Sequence, residues 1–168
     1  MSIAQAFLPE FDQEMTTTRA LLERVPVTQN SWKPHEKSMT LGRLSAHVAT
    51  IAHFGPHIVD AEEFDLMSDD AETLRMADFD STQALLKVFD ETTANARRAI
   101  AGASDDALRQ PWALRRGDRT IMSVPRSAAL RTLLLNHLIH HRGQLSVYLR
   151  LNDVPLPGIY GPSADTPI

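Results

Sequence analysis

A chain of 168 residues, 43% hydrophobic and 23% charged, can bury one substantial core and is too ordinary in composition for a disordered or coiled-coil protein. Its formal net charge of −4 argues against a nucleic-acid partner, which would be held by cationic contacts to phosphate. The absence of cysteine excludes disulfides, thiolate metal ligands, iron–sulfur clusters and a cysteine nucleophile.

Periodicity predicts a first helix over residues 2–24, where Ile3, Phe7, Phe11, Met15, Thr18 and Leu22 recur at three- and four-residue steps before Pro26. Residues 25–39 read as a polar connection holding Trp32, Pro34 and an exposed His35. Thr40 is placed to cap a second helix from about residue 41, which falters near Gly55-Pro56 or runs one kinked turn beyond it. Residues 60–79 are acidic and weakly periodic. Asp80 or Ser81 caps a third helix to about Ala101, with Leu85, Phe89, Thr92, Ala96 and Ala99 on its inner face and Gly102 as its stop. Residues 103–124 read as irregular, with a short hairpin across Arg116-Gly117-Asp118 as the one regular element they suggest. Arg115, Arg116 and Arg119 cluster there as solvated side chains.

Pro125 suits the first turn of a long fourth helix, to about Leu151. The tail NDVPLPGIYGPSADTPI, with four prolines in seventeen residues, cannot be helical; Val154, Leu156, Ile159 and Tyr160 predict an extended strip packed on the rest. No internal repeat or linker divides the chain, so residues 1–168 are expected to form a single domain. The sum is an all-α fold, a four-helix bundle with a Pro-rich extended C-terminal tail. No basic segment followed by an apolar run opens the sequence, and no stretch approaches the ~18 apolar residues of a membrane span. The expectation is a cytoplasmic protein with no membrane partner.

The histidines carry the chemistry. His137 and His141 are spaced H-x-x-x-H, just over one helical turn, so one rigid rod presents both to a single ion. On a wheel of about 100° per residue, His47 falls inside the stripe Leu41, Leu44, Val48, Ile51 and Ile58. His137 and His141 fall near the middle of the stripe Leu130, Leu133, Leu134, Leu145, Tyr148 and Leu151, with Arg142 and Arg150 pointing away. His53 and His57 are also four apart, but fall on the polar side of the second helix and read as solvent-exposed. A lone core histidine such as His47 is more often a hydrogen-bonded packing residue than a ligand. Two stacked imidazoles in an apolar core, however, need polar partners at ~1–3 kcal/mol each, and a divalent ion satisfies one nitrogen on both. Three nitrogens with open coordination positions is the arrangement of catalytic rather than structural metals.

The segments WKPHEKS, MTLGRLSAHVA and LLLNHLIHHRGQLSVYLRLNDVPLPGIYGPS resemble the DinB-like (damage-inducible, YfiT-type) metal-binding four-helix bundles, over nearly the full length. The resemblance implies an up-down-down-up bundle, a homodimer, and a three-histidine site in which His47, His137 and His141 hold nickel or zinc, with iron or manganese as further options. It also implies a small-molecule substrate, including a low-molecular-weight thiol, and a metal-dependent thiol S-transferase or hydrolase. A non-catalytic metal or small-ligand binding protein of the stress response is the alternative, and a helical interaction protein with structural histidines a third reading. Gln144 and Tyr148 are candidate pocket residues that would orient a bound group, Tyr148 equally well a core residue; His140 is either a supporting or a rim residue.

Overall fold

The computed structural model describes residues 1–69, 71 and 79–166; of the acidic stretch 60–79, residues 70 and 72–78 lie outside them, as do the last two residues of the tail. Helix α1, Ile3–Leu22, opens on a reciprocal cap: the Ser2 hydroxyl accepts from the Gln5 N–H, and the Gln5 side chain accepts from the Ser2 N–H. Helix α2, Leu41–Thr50, begins where Thr40 Oγ1 accepts from the Arg43 N–H at 3.2 Å. The rod tightens into a 3₁₀ turn at Ile51–His53 and continues as α3, Phe54–Asp60. The irregularity therefore precedes Gly55-Pro56, and Pro56 sits in the first turn of α3, just after the 3₁₀ turn.

Ser81 caps α4, Thr82–Gly102, whose buried line is Leu85, Phe89, Thr92, Ala96 and Ile100. A Cβ on Gly55 would fall 2.6 Å from Ala96 Cβ and 2.9 Å from its Cα, so α3 and α4 meet backbone to backbone at this point. A short α5, Asp105–Arg109, leads into strands β2 (Pro111–Arg116) and β3 (Arg119–Pro125), which follow β1, Glu63–Asp65. β2 and β3 pair antiparallel around a turn in which Gly117 takes φ +57°, and β1 adds to β2 in parallel, with Phe64 opposite Leu114. The three-stranded mixed sheet corrects the expectation of an all-α, up-down-down-up four-helix bundle. β1 escapes a sequence reading because it is three residues long, lies in an acidic stretch poor in strand formers, and pairs with a strand about fifty residues onward. Buried Trp112 ties the sheet to the helices by donating its Nε1–H to the His57 carbonyl at 3.1 Å.

The last rod comprises α6 (Arg126–Ala129), a wide π-helical turn at Leu130–Asn136, and α7 (His137–Leu151). Asp153, at φ 57°, ends it, and the Val154 N–H returns to the Leu149 carbonyl. Along the rod the buried line runs Leu130, Leu134, Leu138, Arg142, Leu145 and Leu149. A π turn takes more residues than an α turn and rotates everything after it. The core-facing positions thus become 138 and 142, not 137 and 141, and Leu151 ends up exposed. Arg142, expected to point away, is among the most deeply buried side chains of the molecule. Helix α1 packs on α4 and α7, and α2 packs on α4 and α7, around one apolar core. In the tail, Val154 and Leu156 pack against that core as predicted, whereas the Tyr160 ring is largely exposed. Among the described residues, no helix is long and apolar enough to cross a membrane.

Candidate metal centre

His47 projects from the middle of α2, while His137 and His141 project from the first two turns of α7, the helix against which α2 packs. The π turn moves the α7 pair off the core line and onto the flank that meets α2. There the three imidazoles converge: each offers a ring nitrogen, and these nitrogens lie within 4.8 Å of one another. His47 Nε2 and His137 Nε2 are 3.2 Å apart. Ring centroids are separated by 5.0 Å (His47–His137), 4.5 Å (His47–His141) and 4.7 Å (His137–His141), with every pair close to edge-on.

The outer nitrogens fix the inner ones. His137 Nδ1 lies 3.3 Å from the Leu133 carbonyl, an acceptor inside the wide turn, and His141 Nδ1 lies 2.7 Å from Gln144 Oε1. Both partners are oxygen acceptors, so Nδ1 of each ring carries the proton and Nε2 keeps its lone pair for the centre. Burial pushes the pKa of His47 down to about 4, helped by the neighbouring His141 and His137 and by Arg43. Burial does the same for His137, again to about 4, with His141 adding to the effect and the Leu133 carbonyl opposing it. His141 is also lowered, by burial first, while its bond to Gln144 pulls the other way. The trio is therefore neutral at pH 7, the state in which imidazole ligates a metal.

The donor set fits a divalent ion. Two nitrogens bound at about 2.1 Å, at angles between octahedral and tetrahedral, would be separated by about 3.0–3.4 Å, which brackets the His47–His137 spacing. Among the described residues no carboxylate joins the group, so an ion here would keep its full charge, and three ligands leave positions open. One wall is apolar: the Phe54 ring lies 6.4 Å from His137 and stacks edge-on against Phe64.

The remaining candidates add no nitrogen to the trio. His140 is exposed beside His141, with ring centroids 4.9 Å apart. Tyr148 is half-buried and packs edge-on against Trp32 at 5.5 Å, and Gln144 holds a histidine. His53 and His57, expected in solvent, are half-buried and line a cavity of ≈ 460 Å³ with Thr92, Asn95 and Arg98 of α4, because α3 lies so close to that helix. His35 is exposed in its loop, as expected, and accepts from the Lys37 N–H.

Sequence reasoning missed the buried group next to the centre. Arg142 forms an ion pair with Glu14 of α1 at 2.6 Å and donates to the Tyr160 hydroxyl at 2.6 Å, and that hydroxyl donates to the Glu14 carboxylate at 2.9 Å. Arg142 also reaches the residue-14 carbonyl and Thr18 Oγ1, so the group locks α1, α7 and the tail together one residue from His141. The signal was available on α1: Glu14 lies between Phe11 and Thr18 at helical spacing, and a carboxylate on a core stripe demands a buried cation.

A model of the DinB family matches residues 1–167. The protein YrdA of Bacillus subtilis (strain 168) is 25% identical over 163 residues, covering 95% of this chain and 89% of that protein. Among solved structures, a DinB-like protein from Bacillus cereus ATCC 10987 superposes with a TM-score of 0.71 at 23% identity, over 93% of this chain and 97% of that one. A DinB-like protein of Bacillus subtilis, YjoA, gives 0.63 at 21% identity, over 85% and 89%. A mycothiol-dependent maleylpyruvate isomerase gives 0.56 at 18% identity, over 84% of this chain and 62% of that chain. At these identities the solved structures speak to the fold alone.

Proposed function

We propose, on the premise that this chain belongs to the DinB family, that His47, His137 and His141 hold one divalent metal ion in an enzyme of the thiol S-transferase or hydrolase type. The observation that carries this reading is the convergence of three neutral imidazoles from two helices, two of them with their outer nitrogens already bonded. Nickel and zinc suit an all-nitrogen set best, and iron or manganese is the further option, because nitrogen sites accept several first-row ions. When bound, such an ion supplies a Lewis acid that lowers the pKa of a coordinated water or thiol, or polarises a carbonyl.

The chain's own residues prepare that centre. The three imidazoles offer lone pairs at neutral pH without first losing protons, the Leu133 carbonyl and Gln144 hold two of the rings, and the Phe54 ring stands beside His137 as an apolar neighbour. With no cysteine in the chain, any thiol has to arrive as a cosubstrate. The fold shared with an isomerase whose name states its dependence on mycothiol supports that direction. The test begins with elemental analysis of protein purified without a histidine tag. About one equivalent of nickel or zinc per chain is expected, followed by metal-dependent turnover in a panel of thiols with electrophiles, esters and amides. Metal-free protein would remove the centre, equal turnover after chelation would remove the metal's role, and stoichiometric metal without turnover would leave a binding protein.

A further inference from the structure

Gln144 reads from sequence as a residue facing a substrate, yet its side chain is committed elsewhere. It sits on the exposed side of α7, one turn after His141, and its Oε1 accepts from the His141 ring at 2.7 Å. His141 is the member of the trio that most needs such help. His47 and His137 sit deeper among packed side chains, and His137 has the Leu133 carbonyl as a backbone acceptor that no substitution removes. His141 lies nearer the surface, with exposed His140 beside it. There its ring could otherwise turn over, or take the tautomer that places the proton on the inward nitrogen. Each would withdraw one lone pair from the centre. The i, i+3 spacing on one helix makes the Gln144–His141 bond local, so the folded helix supplies it without reorganisation.

We propose that Gln144 is a positioning residue of the metal centre: by accepting the His141 Nδ1–H, it holds the ring so that Nε2 faces His47 and His137, and it sets ion affinity without touching the ion. This inference rests on the reading of the trio as a metal site. Glutamine is also a weaker acceptor than a carboxylate, so it orients the imidazole while adding little to its basicity, which leaves the ion more electrophilic than a glutamate at the same position would. The substitutions Gln144→Ala and Gln144→Glu separate the two effects.

The test has two arms on the full chain. In metal-free protein, long-range ¹H–¹⁵N spectra of the imidazoles report which ring nitrogen is protonated. His141 should be the Nδ1–H tautomer in wild type and in Q144E, and a mixture in Q144A. Competition with a chromophoric chelator, using zinc alone as the probe, then measures affinity. Q144A should bind roughly 10- to 100-fold more weakly, the range typical for loss of such a partner, and Q144E at least as tightly as wild type. Because Gln144 is exposed, the melting temperature of the metal-free variants should match wild type, which separates positioning from folding. Wild-type protein that takes up no zinc would overturn the metal reading and this inference with it. Tight uptake by wild type and Q144A alike, or an unchanged His141 tautomer in Q144A, overturns the inference alone.

Discussion

Replacing Glu14 with alanine should be among the most destabilising single changes available outside the apolar core. The side chains of Arg142 and Glu14 are 2% and 7% exposed, so their 2.6 Å ion pair is shielded from solvent. Removing one member of a buried pair leaves an uncompensated charge, at about 3–5 kcal/mol. Here the guanidinium would keep three hydrogen-bond acceptors, the residue-14 carbonyl, Thr18 Oγ1 and the Tyr160 hydroxyl, but no countercharge. That places the loss near the lower end, about 3 kcal/mol, or roughly 6–12 °C in Tm for a chain of this size. The internal control is Asp12→Ala, which removes the partner of Arg97 in a pair that is 50% and 43% exposed, where solvent screening should leave the midpoint nearly unchanged. Urea titrations of metal-free wild type, E14A and D12A at pH 7 give the comparison directly. The double variant E14L/R142M should recover most of the loss, since an apolar pair of similar volume removes the buried charge. Equal midpoints for E14A and D12A would refute the reasoning, because they would mean that water reaches Arg142 in the folded state.

Further outcomes concern the centre and the helix contacts around it. His137→Ala and His141→Ala should each abolish tight metal retention and His47→Ala should weaken it strongly, whereas His53→Ala and His57→Ala, which face the α4 cavity, should leave it unchanged; elemental analysis after dialysis is the readout. Metal-free protein should lose stability as pH falls: unfolded histidine takes up a proton near 6.5, whereas folded His47 and His137 resist until about 4. The unfolded state thus binds more protons across that window, and each group contributes a slope of up to about 1.4 kcal/mol per pH unit. Urea midpoints measured between pH 7 and pH 4.5 should show this slope, and the H47A/H137A double variant should flatten it. Gly55→Ala should cost about 1–3 kcal/mol through its clash with Ala96, and Ala96→Gly should recover part of that; a neutral Gly55→Ala would show that α3 and α4 can separate at no cost.

What the sequence determined by itself is local. Thr40 and Ser81 mark helix starts because a hydroxyl at the cap satisfies orphan N–H groups wherever the chain goes next, and the Gly117-Asp118 turn declares its hairpin through the residue type that adopts a positive φ most readily. The three histidines stood out for the same reason: spacing along a helix is fixed by its own geometry. What only the tertiary structure decided depends on residues far apart in the chain. Strand β1 has too little pattern of its own and exists because β2 is there to pair with it. The π turn at Leu130–Asn136 has no signature that a regular wheel can register, yet it rotates α7 by enough to exchange the roles of neighbouring residues. It sends Arg142 into the core to meet Glu14 and turns His137 and His141 towards His47. A wheel assumes a constant angle per residue, and one widened turn breaks that assumption for every position that follows.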